Sequence, residues 1–413
     1  MPSTPPKIAI LGAGPAGLTL ASLLSASSTL INYTIFDLRL RPSPDTVNQP
    51  SGSLDLHQKS GLLALKGCRL YEKFEQLKAE CGEEMKLSDK YGTLQYSDEG
   101  SNGQRPEIAR NTLTQLLLDS IPSDSIKWEH KANSVSPAPG HAGKWCLNFA
   151  SNPSSNKQPE PEIYDLIIGA DGAWSKIRPP ITNIKPHFSG IHCMTLTIPH
   201  LTATSPHLAS LIGTGSYAAC GDKKAIMTQR GSLDSARIYL MLSSPSETWL
   251  HDSGLDKMSA EELKKELLSS PQLFQTWGSE LKDLVAAGCD AESLSLGPDD
   301  KIDMRPLYTL PPGHTWTHVP GLTLIGDAAH LMTPFAGEGV NASMLDALEL
   351  SRAILGGGGL DEVVKGYEEG MFPRAKVVME ESWNNLGIIF AEDSPRGFVE
   401  FFKSHGPPPP SEQ

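Results

Sequence analysis

The chain is short of cysteine and of basic residues, and no stretch of it approaches 18 consecutive apolar residues. The six cysteines, at 68, 81, 146, 193, 220 and 289, form no CxxC pair and match no zinc-ligand spacing. This argues against a disulfide scaffold or a structural zinc site and predicts reduced, mostly buried thiols. Lys plus Arg amounts to 35 against 48 Asp plus Glu, a formal net charge of −13. Such a balance disfavours nucleic acid and anionic lipid as partners, because both attract basic surfaces. Without a long apolar run, no membrane-spanning helix is expected. The opening MPSTPPKIAILGAG does not read as a secretory leader, and Ser411-Glu412-Gln413 matches no retention or peroxisomal address. A cytoplasmic protein, monomeric or weakly dimeric, is the expectation. GxSxG is also missing, which disfavours a serine hydrolase.

What is present is ordinary globular material. Hydrophobic residues make up 39% and charged residues 20% of 413, with 37 Gly and 33 Pro. That length allows two or three domains, or one large domain with an insertion. Lys7–Leu11 reads as a buried strand, 16–27 as a helix and 33–37 as a second strand. Pro42 to Gly52 reads as a loop. Helices are expected around Leu70, Phe74 and Leu77, over Ile108–Leu118, Glu261–Leu268 and Leu273–Leu284, from about 339 to 354, and over 361–392 with a kink at Pro373. Lys127–Glu129 and Lys144–Phe149 suggest a strand pair, and Ser151–Pro161 a surface segment. Tyr164–Ala170 and Gly321–Ile325 are further buried strands. Residues 187–242 hold short alternating runs, as in an antiparallel sheet. The tail GPPPPSEQ is expected to be disordered.

Three motifs carry chemistry. Gly12-Ala13-Gly14-Pro15-Ala16-Gly17 follows a strand and opens a helix. Gly12 allows the tight turn, Gly14 lets a pyrophosphate approach the backbone, and Gly17 lets helix and strand pack closely. The helix N-terminus offers free N–H groups to phosphate. Asp37, twenty residues beyond Gly17 at a strand end, is placed to accept hydrogen bonds from a ribose diol. Gly169-Ala170-Asp171-Gly172, followed by Ser175 and Arg178, is a second strand-end acid. Gly326-Asp327-Ala328-Ala329-His330 is a third, running on to Pro334, Phe335, Gly337, Gly339 and Asn341. Its glycine-rich loop opens a helix whose N-terminal dipole would stabilise negative charge.

Together these motifs resemble the FAD-dependent aromatic-hydroxylase-like monooxygenases of the para-hydroxybenzoate hydroxylase fold. GAGPAG, GADGAWSKIRP and LIGDAAHLMTPFAGEGVN carry the likeness. SGSLDLHQKSG (51–61) and PEIARNTLTQLL (106–117) bring it nearest to the tetracycline-inactivating branch. The resemblance implies an α/β fold: a Rossmann-type FAD domain from 1–175 and 301–350, an antiparallel-sheet substrate domain from 176–300, and C-terminal helices over 351–405 before a tail at 406–413. It implies that Asp37, Asp55, Arg110 and Asp327 touch FAD, and that Gly337, Gly339, Val340 and Asn341 lie beside its ring. Gly12, Gly14, Ala16, Gly17, Asp171 and Pro334 complete the cofactor set, and Phe335 is the substrate-side candidate.

NADPH or NADH would reduce the flavin, and O2 would add as a C4a-hydroperoxide that hydroxylates or epoxidises an electron-rich aromatic, polyketide-like or indole-like small molecule. No acid or base is obligatory; His57 is the pocket candidate, and His330 reads as structural. Trp174 reads as a packing residue, as do Met194, Tyr217, Met227 and Met241. The chain departs from the branch at Val47-Asn48-Gln49-Pro50, where a basic residue contacts nicotinamide; Arg39 or Arg41 could replace it. Residues 187–240 show no match, so the antibiotic substrate does not carry over. The rival readings are a flavin oxidase or dehydrogenase on the same fold, a nicotinamide-only Rossmann dehydrogenase and a non-enzymatic FAD-fold binding protein. A halogenase is disfavoured by the missing WxWxIP.

Overall fold

The structure is a computed structural model that describes residues 5–78, 82–100, 106–150, 162–297 and 300–405. The Ser151–Pro161 segment and the tail GPPPPSEQ lie outside the described residues. KIAIL is apolar throughout, and only a strand covered on both faces uses such a run. Lys7–Leu11 accordingly sits in the middle of a five-stranded parallel sheet, between Leu166–Gly169 and Asn32–Phe36. Leu322–Leu324 closes one edge and Ile126–Lys127 the other. The helices Pro15–Ala26 and Gly339–Leu355 pack on each other beside this sheet and share its core.

A seven-stranded sheet forms the second body, in the order Asp303–Thr309, His187–Ile198, Ser235–Ser243, Lys224–Gly231, Ser216–Gly221, Met85–Asp89, Leu94–Asp98. Its pairs are antiparallel except Ser216–Gly221 with Met85–Asp89. Three of its strands, Met85–Asp89, Leu94–Asp98 and Asp303–Thr309, come from outside the expected 176–300 span. Strands join a sheet by free edges, not by chain neighbourhood, so the chain crosses between the two bodies more often than composition suggests. The helices Ala260–Ser269 and Ser279–Ser295 cover one face. The first starts on a capping box, Ser259 Oγ accepting from the Glu262 N–H while Glu262 accepts from the Ser259 N–H.

Several local expectations change. Lys127–Glu129 and Lys144–Phe149 do not pair: Ile126–Lys127 lies parallel to Asn32–Phe36, and Trp145–Phe149 pairs antiparallel with Ala132–Pro137. The Ala132–Pro137 partner, ANSVSP, is too polar to read as a strand. Ile108 lies in a short strand, Glu107–Ala109, and the helix begins only at Arg110. Leu273–Leu284 is not one helix. Phe274 and Trp277 pack edge-to-face in the core at 5.0 Å, turned by a Phe274 N–H to Leu267 carbonyl bond, and the helix starts at Ser279. Helical spacing here reflected two rings filling one hole. Pro373 lies inside an unbroken helix, Leu360–Ile389. Cys68, Cys146, Cys193, Cys220 and Cys289 are free and buried.

Candidate active site

The glycine loop lies at the carboxyl end of the central strand. A Cβ on Gly12, whose φ is +105°, would stand 2.2 Å from the Ala170 carbonyl oxygen, and one on Gly17 2.0 Å from the Gly12 oxygen. Both positions demand glycine. Gly14 is different: nothing lies within 4 Å of an added Cβ. The space beside it is open, and the helix it opens has neither a side-chain cap nor an acid in its first turn. Its first N–H groups therefore remain available to an anion.

Asp37 Oδ2 accepts the Ala13 N–H at 2.7 Å, and Arg39 donates to both Asp37 oxygens and to the Ala13 carbonyl, each at 2.9 Å. Burial alone would raise the Asp37 pKa. The Arg39 guanidinium and the Ala13 and Arg39 N–H groups outweigh it and hold the carboxyl below its usual range. Arg39 is thus committed to Asp37, while Arg41 lines a shallow recess with Pro42, Gln115 and Trp128.

The second and third motifs meet. Arg178, 3% exposed, donates from Nε to the Ala328 carbonyl at 3.0 Å and from Nη2 to the Ala173 carbonyl at 2.5 Å. It ties the Asp171 loop to the Asp327 loop. Asp171 Oδ2 accepts the Lys176 N–H at 2.6 Å, and burial pushes its carboxyl up. Asp327 is exposed to solvent although protein surrounds it, as at the floor of a cleft, and Arg110, Arg178 and His330 all lie within electrostatic reach. His330 is no free base. Its Nε2 is 2.5 Å from Asp346 Oδ2, which also accepts the Gly326 N–H at 3.0 Å. That buried pair braces the turn carrying Asp327.

Opposite lie the 53–61 loop and the start of the Gly339–Leu355 helix. Asn341, 0% exposed, joins them: its Oδ1 accepts from the His57 N–H, Ser60 Oγ and the Gly61 N–H, and its Nδ2 donates to the Asp55 carbonyl. The Asn341 side chain is buried and spent on this loop, its Oδ1 accepting three bonds and its Nδ2 donating one. The Asp55 carboxylate is 3.7 Å from where a Gly337 Cβ would be, and Gly339 faces open space. Arg110, exposed, donates its N–H to the Gly52 carbonyl at 2.9 Å.

The inner face of the seven-stranded sheet completes the cleft. Strand alternation sends Met194, Leu196, Ile226, Ile238 and Tyr217 into the core against the two helices. It sends Cys193, Met227, Tyr239 and Met241 to the other face, in one apolar cluster with Phe335 and with Phe390 and Phe398 of the C-terminal helices. Phe335 meets Phe390 edge-on at 5.5 Å. Met194, Tyr217 and Met241 are therefore buried core residues as expected, Met241 on the opposite face from the other two, and Met227 is half-buried against the same cluster as Met241. Farther along the inner face come Arg237, whose Nη1 donates to Thr197 Oγ1 at 2.8 Å, and Gln229, whose Nε2 donates to the half-buried Glu107 at 3.2 Å. Trp174 is 60% exposed and touches Tyr308 edge-on at 5.0 Å, so it does not pack in a core.

Comparison with known proteins agrees with this geometry. A family model described as an FAD binding domain matches residues 316–382, the stretch that contains Asp327 and Gly339. Monooxygenase penA of Penicillium thymicola is 39% identical over 422 residues, covering 94% of this chain and 96% of penA. The chain belongs to the FAD-dependent monooxygenases. Two solved structures share its fold: HpxO of Klebsiella pneumoniae, complexed with FAD and uric acid, at TM-score 0.74 and 17% identity (96% of this chain, 92% of that one), and tetracycline destructase Tet(55), at TM-score 0.71 and 17% identity (98% and 95%).

For an FAD-dependent monooxygenase the cleft is chemically apt. It has an open, glycine-lined phosphate end, a solvent-reached acid at Asp327 and open space before the Gly339 helix. Among the described residues no group of His, Cys, Asp or Glu is arranged to hold a metal, and no helix is long and apolar enough to cross a membrane. Sequence reading missed Arg178 as the tie between two motifs, Glu338 beside His57, and Arg237 on the inner face. Only the invariable charge of arginine inside a glycine-rich motif could have flagged the first.

Proposed function

We propose that this monooxygenase consumes NAD(P)H and O2 to place one oxygen atom on an electron-rich, largely apolar ring of a small secondary metabolite, aromatic, polyketide-like or indole-like. The balance is substrate, O2, NAD(P)H and a proton to oxygenated product, water and NAD(P)+. One observation carries the substrate class. The inner sheet face, with Cys193, Met227, Tyr239 and Met241, shares a single apolar cluster with Phe335, on the loop leading into the Gly339 helix. A ring-binding surface and a flavin cradle therefore adjoin, and such pockets are mostly apolar with a few placed polar groups.

The chain's own residues have distinct tasks. Gly12, Gly14, Ala16, Gly17 and Asp37 would hold the adenosine and pyrophosphate. Asp171, Arg110 and Asp327 would hold the middle of the cofactor, and Asp55, Pro334, Gly337, Gly339, Val340 and Asn341 its ring. When bound, FAD supplies hydride acceptance and oxygen activation. The Gly339 helix presents its positive end to that ring. Phe335, Phe390 and Phe398 exclude water. Arg237, Tyr239 and Gln229 offer hydrogen-bond donors at the polar end of the sheet face, where a substrate carbonyl or hydroxyl would be oriented.

The test is the purified protein itself. It should carry one non-covalent FAD that NADPH bleaches in air-free buffer, and product should gain one 18O atom from labelled O2. Product formed without O2, or labelled only from water, would instead establish an oxidase or dehydrogenase.

A further inference from the structure

Asp55 ends the short strand Ser53–Asp55, and Glu338 stands immediately before the Gly339–Leu355 helix. The two segments are far apart in sequence but adjoin in space, the Asp55 carboxylate lying 3.7 Å from where a Gly337 Cβ would be, next to the open space beside Gly339. The His57 ring lies between them, with Nε2 3.0 Å from Asp55 Oδ2 and Nδ1 3.1 Å from Glu338 Oε1. A neutral imidazole donates from one nitrogen only. Two carboxylates, one on each nitrogen, are satisfied together only by the doubly protonated ring. Hydrogen bonds that the ring donates to Asp55 and then to Glu338 accordingly raise the His57 pKa to about 9, against the opposing effect of burial.

Charges on every neighbouring element leave this bridge intact. Glu107, paired with Asp55 across the strand, is bonded to Ser53 and Gln229. Asp346 and Arg374, which line the recess behind Glu338, are engaged with His330 and with each other. Asp55 and Glu338 each find their ion-pair partner in His57. Without that cation, two carboxylates would stand beside the positive end of the helix and repel each other and any negative charge placed there.

We propose that His57 is a cationic tie, a positioning residue that joins the 53–61 loop to the start of the Gly339 helix and offsets two carboxylates beside the flavin ring. The proposal rests on the reading that FAD binds in this cleft. The tie acts alongside the neutral Asn341 clamp but differs from it in being titratable. A folded pKa raised above 6.5 means that its contribution is complete below that pH and is lost as pH rises through about 9.

The experiment titrates apoprotein with FAD from pH 6 to 10.5, following flavin fluorescence, for the wild type, His57→Gln, Glu338→Gln and the double variant. At pH 7, His57→Gln should bind FAD roughly five- to tenfold more weakly, the scale of two partly exposed ion pairs. Wild-type affinity should fall by the same factor through pH 9, whereas the His57→Gln curve stays flat. The double variant should lose less than the product of the single losses. Below pH 9 the bound flavin of His57→Gln should also have a lower reduction potential than the wild type, because negative charge is left uncompensated.

FAD bound by His57→Gln with wild-type affinity, pH profile and potential overturns the tie and leaves the FAD reading standing. A lowered melting temperature with an unchanged pH profile and potential also overturns it, since that is a purely structural role. Should His57→Gln fail to fold, Glu338→Gln carries a matching pH prediction, a weakened step displaced below pH 9, because one of the two carboxylates that raise the His57 pKa is gone. If no form of the protein takes up FAD, the reading of the cleft falls as well.

Discussion

At the glycine-loop end of the cleft, Gly12 and Gly17 occupy positions where an added Cβ would collide with carbonyl oxygens, at 2.2 and 2.0 Å. On the inner face of the seven-stranded sheet, Cys193, Met227, Tyr239 and Met241 meet the C-terminal aromatics through side chains alone. On the proposed reading, one end would recognise a ligand with backbone and tolerate almost no change, and the other would recognise it with side chains and could be rebuilt residue by residue. The contrast would explain a nucleotide signature in a chain whose proposed substrate wall shows no match to the tetracycline-inactivating branch. Backbone geometry has few solutions, whereas an apolar surface has many.

The largest way to break the comparison is Gly12→Val. A β-branched residue at φ +105° against the Ala170 carbonyl should cost more than about 3 kcal/mol and abolish FAD uptake, read as a fall in Tm and a colourless preparation. A coloured, stable variant would show that the backbone is not the recognition element. The next compares the two faces of one sheet. Met194→Ala, in the core against the helices, should cost about 2–5 kcal/mol while leaving KM near the wild type. Met227→Ala, half-buried on the inner face, should cost less stability and shift KM or product distribution, measured by turnover on one substrate. Equal effects on stability and KM would erase the distinction between faces.

Asp327→Ala should then lower FAD affinity by about one to two orders of magnitude, the loss of a charge-assisted hydrogen bond worth about 1.5–3 kcal/mol, measured by fluorescence titration. Smallest is the Asp37 contribution. Its folded pKa lies below the ordinary 3.8, so its stabilisation is present above that value and lost as pH falls through the folded one. Asp37→Asn should melt earlier than the wild type at pH 7, with the gap closing in acid below pH 3. A gap that persists there would mean that packing, not the Arg39 and N–H contacts, fixes the loop.

Much of the nucleotide end was legible in the residues alone. The run KIAIL, the three glycines and Asp37 obey local rules, and each motif lands at a strand end as its residues require. The substrate side was less legible because its partners are remote. Residues 85–98 and 303–309 add edges to a sheet whose centre lies at 187–243, and nothing in their own patterns announces it. Met227 and Met241 pack in a core as their pattern suggests, but alternation tells only that two faces exist and not which neighbour covers each. Leu273–Leu284 misled because Phe274 and Trp277 share helical spacing without sharing a helix.

His57 shows the boundary most clearly. By itself the sequence determined that a histidine stands two residues after Asp55 in a loop resembling a flavin-binding one, and that a glycine-rich segment with Glu338 opens a helix nearly three hundred residues later. It also determined the order of the three nucleotide motifs and thereby the family. Only the tertiary structure brought Asp55 and Glu338 to opposite nitrogens of one ring, tied Asp171's loop to Asp327's through Arg178, and chose which sheet face meets Phe335. Local motifs are written in φ, ψ and spacing, which act over a few residues. Charge pairing and the burial of a face depend on which distant surfaces the packed chain presses together.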